Sequence, residues 1–337
     1  MSNELDVTRR NFLLGAAGAA FALAAKPATG VAKETATISK EEFERMVTEL
    51  SNWGRWGKDD QMGTVNLITP AKRKQAVALV REGLSVSLAH DQSTEKAVDN
   101  PEPLGRVMIS SGDQPNAGFG ADTYTMSYHG LYYTHMDALG HFFWDGHTYN
   151  GYPRNVISSK GALKLDIDVF KSGIVTRGVL MDIPRLKGLP YLEPGTPIYP
   201  EDLDAWEKKA GLKVGSGDMI FIRTGRWARR AKVGPWDLGK GVAGLYPTCA
   251  RWLKQRDVAV LATDAISDVM PSPVTGVEIP FHVLTIVALG TPIFDNCDLE
   301  EAGETANRLH RWEFMVSTAP MRIPAGTGSP LNPLALF

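Results

Sequence analysis

The stretch YHGLYYTHMDALGHFFWDGHTYNG, Tyr128 to Gly151, carries His129, His135, His141 and His147, four of the seven histidines in the chain. Inside it lies the pattern T-H-x-D-x-x-x-H, at Thr134, His135, Asp137 and His141. If this segment is extended, side chains two residues apart point to the same face. His135 and Asp137 then converge, so a strand is expected here with a site on one of its faces. One imidazole nitrogen and one carboxylate oxygen suit Zn²⁺ or Mn²⁺ and leave a position open for water. His141, beyond Ala138, Leu139 and Gly140, serves either as a further ligand or as a general base.

Outward from this stretch, strands and helices interleave. Ser39-Lys-Glu-Glu42 has the form of a capping box ahead of Phe43, Met46 and Leu50, predicting a helix to about Asn52. Trp53 to Asn66, with its glycines, aspartates and two tryptophans, reads as an ordered loop. Thr69-Pro70 starts a helix expected to end at Gly83, and Leu84 to His90 alternates as a strand. Residues 91–122 form a long excursion, expected as a lid, with extended pieces near 106–110 and 123–128.

Further along, strands are expected at Ile174–Asp182, Asp218–Thr224, Val258–Thr263 and 311–323. Helices are expected at Pro200–Lys209, Pro247–Gln255, Pro280–Gly290 and after Asp298. The tail GTGSPLNPLALF holds too much Gly and Pro for regular structure. No repeat or separating linker interrupts the pattern, so the fold expected is one α/β domain, a mixed β-sheet flanked by helices.

At 337 residues, 43% hydrophobic and 22% charged, the chain can build a substantial core. A net charge of −2 without a basic run argues against nucleic acid as a partner. No apolar run reaches spanning length, so an integral membrane protein is not expected. The two cysteines, Cys249 and Cys297, read as buried free thiols rather than a disulfide framework. There is no G-x-S-x-G, Walker loop, C-x-x-C pair or dinucleotide fingerprint.

Two ligands hold a metal weakly, so more are expected from elsewhere. The candidates are His282, near the start of the apolar 280–290 helix, and Asp295 beyond it. The plain alternatives are a buried backbone-bonded histidine and a turn residue. Phe142, Phe143, Trp144 and Tyr149 could wall an aryl substrate or pack the core, with Trp53 and Trp56 as weaker pocket candidates. His147 reads as an exposed loop residue. Arg223 and Arg226 could bind a substrate carboxylate, although Arg226 reads more naturally as part of a solvated loop. Asp264 could orient a ligand histidine or cap a helix.

The segments THMDALGHFFWDGHTYNG, WGRWGKDDQMGTVNLITP, RGVLMDI, GDMIFIRTGRW, CARWLKQRDVAVLATDAISDVMPS, PFHVLTIVALGTPIFDNCDLEE and GTGSPLNP together resemble the cyclase family of metal-dependent hydrolases. The resemblance spans most of residues 33–337 and centres on an H-x-G-T-H-x-D-x-x-x-H motif. It implies a cyclase-type, swivelling β/β/α fold and one divalent metal, Zn or Mn, rather than two. It also implies a small-molecule substrate, an aryl or cyclic amide, and a homo-oligomer, dimer or tetramer. By it, His135 and Asp137 are metal ligands and His141 is the catalytic histidine or a second metal's ligand. His282 and Asp295 match downstream residues used around the metal.

The chain departs from the motif in two places. Leu131 stands where the family has its first histidine, and Tyr133 replaces the glycine. His129, two residues further upstream, could replace that histidine only with a local distortion of the chain, which favours one metal. Asp295 is one methylene shorter than the glutamate or glutamine of relatives, so contact through water is expected. The expected reaction is hydrolysis of an amide, cyclic amide or ester by a metal-bound hydroxide. In it His141 moves the proton, and Thr134 or a backbone N–H helps hold the oxyanion. The competing readings are a periplasmic metal-dependent binding protein without turnover, and a cyclase or dehydratase on the same site. Retention of His141 beside the metal pair favours catalysis.

At the amino terminus, TRRNFLL, with Arg9 and Arg10 ahead of an Ala- and Gly-rich run to Ala25, resembles a twin-arginine export signal. Cleavage after Ala32 removes Arg9, Arg10, Lys26, Glu4 and Asp6, leaving a net charge of −3. The expected destination is the periplasm or the exterior.

Overall fold

In the computed structural model, which describes residues 37–337, nine strands form one mixed sheet. The 1–32 export signal expected from the sequence lies outside the described residues. Four parallel strands make the middle of the sheet: Ile174–Asp182, Met219–Arg223, Val260–Thr263 and Ile293–Asp295. The last three are buried along their whole length, as runs such as MIFIR and VLAT require when helices cover both faces. Parallel neighbours need long crossovers. The helices Pro200–Ala210, Arg226–Val233 and Cys249–Arg256, and the helical segment from Pro280 to Leu289, supply them.

Antiparallel strands extend the sheet on both sides. Glu313–Thr318 pairs with Ile174–Asp182 and alternates half-buried and buried residues. Leu334–Leu336 follows it, then Ser85–Ser87. On the other side, His135–Asp137 lies between Ile293–Asp295 and Gly328–Pro330. The sequence expectation of a mixed α/β fold therefore holds.

The helix Lys40–Leu50 starts at Ser39, whose hydroxyl accepts the Glu42 N–H at 3.2 Å. Its buried Phe43, Met46 and Leu50 pack toward the 283–289 segment, and each contributes about 1.5–3 kcal/mol by leaving water. Among the described residues, no helix is long and apolar enough to cross a membrane. Cys249 and Cys297 are free and buried.

Four sequence expectations need correction. The helix opened by Thr69-Pro70 stops at Val77 rather than Gly83, because Glu82 and Gly83 donate their N–H groups to the Phe337 carbonyl. The 280–290 helix winds regularly only to His282 and continues as a π-helix over Val283–Leu289. It stops at Gly290, with φ +68°. A Cβ on Gly290 would stand 2.6 Å from the ring of Tyr149 at two of its nearest atoms and nearer still to a third, so only glycine fits. The tail is not irregular, for Gly328–Pro330 and Leu334–Leu336 are both strands. Local composition missed them because open sheet edges, not local propensity, make them strands. Finally, the 91–122 excursion carries a hairpin, Gly105–Ser110 with Ala121–Thr125, whose side chains are exposed on both faces, rather than a lid over the site.

Candidate metal centre

His135 and Asp137 flank Met136 on a three-residue strand that is buried throughout. Alternation places both on one face, and the antiparallel register sets Asp295 directly opposite His135. Directly opposed residues share a face, so strand pairing alone brings a second carboxylate to the histidine. Asp295 Oδ1 accepts hydrogen bonds from Ser267 Oγ at 3.0 Å and Thr263 Oγ1 at 3.3 Å, which leaves Oδ2 facing the cluster. His282 joins from the first turn of the 280–289 segment, its Nε2 3.2 Å from Asp295 Oδ2 and 3.7 Å from Asp137 Oδ2.

Asp268 braces that histidine. Its Oδ2 lies 2.5 Å from His282 Nδ1, and its carboxylate also accepts the N–H groups of Phe281 at 2.6 Å and His282 at 3.3 Å. One carboxylate thus starts the helical turn and dictates that Nε2 faces the cluster. The sequence reading missed Asp268. The available signal was an aspartate four residues past Asp264, on the loop leaving a buried strand. Asp264 itself takes the capping alternative: it accepts from the Thr224 and Gly225 N–H groups and the Thr224 hydroxyl at 2.7–2.9 Å.

On the outer side, His141 Nε2 stands 3.7 Å from Asp137 Oδ1, and His129 Nδ1 stands 3.0 Å from the same oxygen. The two imidazoles are stacked, with centroids 3.9 Å apart and planes at 5°. His129 arrives through the distortion the sequence reading required. The chain turns at Tyr128–Gly130, and Asn296 Nδ2 holds the Gly130 and Tyr133 carbonyls at 2.8 and 3.2 Å. Gly328 leaves room for the His129 ring, which a Cβ there would meet at 2.6 Å. Arg226, expected in a solvated loop, is buried instead and donates to the Leu131 carbonyl and Asn296. It pins the turn rather than facing a substrate.

Two donor groups therefore share Asp137: His135, Asp137 and Asp295, all buried, and His129, Asp137 and His141, nearer solvent. Within each, the ligating atoms lie within 4.8 Å of one another. A cation fits this arrangement for a reason visible in the atoms. Asp137 Oδ1 and His129 Nδ1 are buried and make no hydrogen bond of acceptable geometry, and such atoms cost free energy unless something else satisfies them.

The electrostatics agree. Burial opposes charge on Asp137, yet the surrounding histidines hold its carboxyl well below the usual range. Burial likewise opposes charge on His135 and His282, but the neighbouring carboxylates outweigh it, and both imidazoles rise above their ordinary value. His141 goes the other way. Burial and then the neighbouring histidines outweigh Asp137 and bring it down to about 4, so at neutral pH its imidazole is uncharged and keeps a free lone pair.

The cluster opens into a cleft of about 170 Å³ with Leu131, Phe142, Ile266 and Ile279 as apolar walls. Of the four aromatics considered as walls, only Phe142 lines it. Phe143 is exposed, Trp144 packs edge-on against Phe43 at 5.1 Å, and Tyr149 is buried with its hydroxyl on Asp60 at 2.9 Å. Trp53 belongs with Trp144 and His147 to a separate groove, and Trp56 stacks under Arg55. His147 is exposed, as expected. Arg223 is held by Asp182 and Glu300 at 2.9 and 2.6 Å, outside the cleft. Thr134 does not line the cleft either. Its hydroxyl donates to the Asn296 carbonyl at 2.7 Å and accepts the His90 N–H at 3.0 Å, so it ties the strand down and the expected oxyanion role is not available to it.

Comparison with known proteins fits this geometry. The family model described as "Putative cyclase" matches residues 65–268. A crystal structure described as a novel cyclase is 32% identical and superposes with a TM-score of 0.77, covering 86% of this chain and 99% of its own. An isatin hydrolase bound to the product analogue thioisatinate shares the fold at 19% identity and TM-score 0.53, over 75% and 92% of the two chains. Isatin hydrolase A from Labrenzia aggregata, bound to benzyl benzoate, does so at 21% and 0.55, over 78% and 97%. A search of curated proteins found no match. With more than half of the chain matched by the family model and nearly all of a solved cyclase aligned to it, this protein belongs to the cyclase family.

Proposed function

We propose that this protein is a metal-dependent hydrolase that opens an amide, cyclic amide or ester bond in a small, aryl-bearing substrate. The observation that carries the reading is the buried Asp137 oxygen, free of hydrogen bonds and ringed by imidazoles. His135, Asp137, His282 and Asp295 would hold the cation, with His129 and His141 on its solvent side. When bound, a divalent Zn or Mn ion supplies Lewis acidity for a substrate carbonyl and acidifies water.

The chain's own residues do the rest. His141, uncharged and facing the cleft, takes a proton from the attacking water and returns it to the departing nitrogen or oxygen. Asp268 keeps His282 in a single tautomer and orientation. Leu131, Phe142, Ile266 and Ile279 receive an apolar ring and keep water from the reacting carbonyl. No arginine or lysine lines the cleft among the described residues, so the reading favours a neutral ring system over a carboxylate held by arginine. Residues 1–32 are proposed as a twin-arginine signal that delivers residues 33–337, already folded, to the periplasm or beyond.

The test is direct. The protein is purified without the first 32 residues, its metal content is measured, and it is assayed against formanilide, N-formylkynurenine, isatin and lactones. Hydrolysis that chelation abolishes and Zn²⁺ or Mn²⁺ restores supports the reading. Tight binding of these compounds without turnover, or turnover indifferent to chelation, overturns it.

A further inference from the structure

Two clefts meet at the turn that carries His129. The first, of about 170 Å³, holds the metal cluster. The second, of about 390 Å³, is lined by Val98, Pro101, Glu102, Tyr132, Tyr133 and Asp237. His129, Gly130 and Leu131 belong to both. Ligand pockets generally span about 300–1,000 Å³. The first cleft alone falls short of that range, and the two together fall within it. Leu131 stands at the boundary. His129 supplies the imidazole beside Asp137 Oδ1, at 3.0 Å, so the position that carries a histidine in the motif is left to an apolar side chain. That side chain is 36% exposed, while its carbonyl is fixed by the buried Arg226.

The second cleft is built in advance of any ligand. Arg230 holds Asp99 through two hydrogen bonds, at 2.6 and 3.1 Å. The Tyr133 hydroxyl donates to the Glu102 carbonyl at 2.9 Å, and Asn100 Nδ2 donates to the Glu95 carbonyl at 3.0 Å. Tyr132 and Tyr133 are buried. Walls braced in this way keep their shape for a ligand. No lysine or arginine is among the described residues that line it. The Asp99 charge is met by Arg230, whereas Glu102 and Asp237 add negative charge to the lining, and such a cleft repels an anion. We propose that the substrate occupies both clefts. Its scissile carbonyl and ring lie over the metal cluster, and a long substituent without negative charge continues past Leu131 into the second cleft. Leu131 is then the residue that sets how long a substrate is accepted. The proposal rests on the hydrolase reading for the chemistry at the first cleft, and on the shape and lining of the second for everything beyond it.

The test compares formanilide with formanilides that carry a para-hexyl chain ending in methyl, in trimethylammonium or in carboxylate. The KM of the first two tailed compounds is expected to fall at least tenfold below that of formanilide, with the carboxylate compound no better than formanilide. Leu131→Trp, which fills the boundary, is expected to erase most of that advantage. Val98→Trp guards against a folding failure, because Val98 is 56% exposed and lines only the second cleft; it is expected to reduce the advantage as well. The matching anilines, which cannot be hydrolysed, are titrated by calorimetry and should rank in the same order. Equal KM and Kd across the series, a preference for the carboxylate tail, or a tail preference untouched by both tryptophan variants overturns the proposal while leaving hydrolysis itself intact. A series that is never hydrolysed, with the anilines still ranked by their tails, overturns the hydrolase reading and supports the two-cleft site.

Discussion

The two halves of the Asp137 cluster are built differently. On the inner side, His135, His282 and Asp295 have side chains only 4–5% exposed, and they sit on paired strands or the first turn of a helix. Asp268, Ser267 and Thr263 brace them. On the outer side, His129 and His141 are 25 and 26% exposed and sit on turns. Rigid elements with braced side chains hold a ligand set to a narrow geometry, whereas loop residues facing a cleft are free to meet a substrate. On the proposed reading, the inner half would retain the cation and the outer half would move the proton.

Changing the shared residue should have the largest effect. Asp137→Asn is expected to lose stoichiometric metal and measurable hydrolysis together, checked by elemental analysis and by assay of the folded variant. Next comes His141→Ala, expected to lower kcat by about 10²–10⁴-fold while metal stays bound. If metal is lost instead, the division of labour between the halves is wrong.

Asp268→Asn should then weaken metal affinity by about 10–100-fold, measured by competition with a chelator. His129→Ala sharpens the comparison further. Its effect on the first equivalent of metal should be smaller than that of Asp268→Asn, even though His129 reaches the cluster and Asp268 does not.

The smallest effect is expected away from the cleft. Glu207 contacts Lys213, Arg256 and the Val214 N–H, and these partners outweigh burial and hold its carboxyl down to about 2. A folded-state pKa below the unfolded one stabilises the protein above the unfolded value of about 4.5, and that stability is lost as pH falls through about 2. The Tm difference between wild type and Glu207→Gln should therefore be full at pH 6 and shrink between about pH 4.5 and pH 2.

Much of the inner half could be read from the chain. Period two put His135 and Asp137 together, and His282 and Asp295 stood out as a histidine and an aspartate flanking an apolar helix. Asp268 escaped because nothing local marks an aspartate that will meet a histidine fourteen residues later. Thr134 invited a catalytic role by position, yet two backbone partners outside its own segment use its hydroxyl. The tail strands escaped because Gly328 and Pro330 have no strand preference of their own and pair only because an edge is open beside them.

The amino-acid order by itself determined three of the four parallel strands, the helices that begin near Pro200, Pro247 and Pro280, and the face shared by His135 and Asp137. These follow from hydrophobic period and strand alternation, which operate over a few residues. Tertiary structure alone decided that Asp295 stands opposite His135, that His129 turns in past Gly328, and that Arg226 is buried. Each of these depends on strand register or on contact between segments 70 to 200 residues apart. At that separation the energy lies in packing and hydrogen bonding between distant parts of the chain, and no local pattern records it.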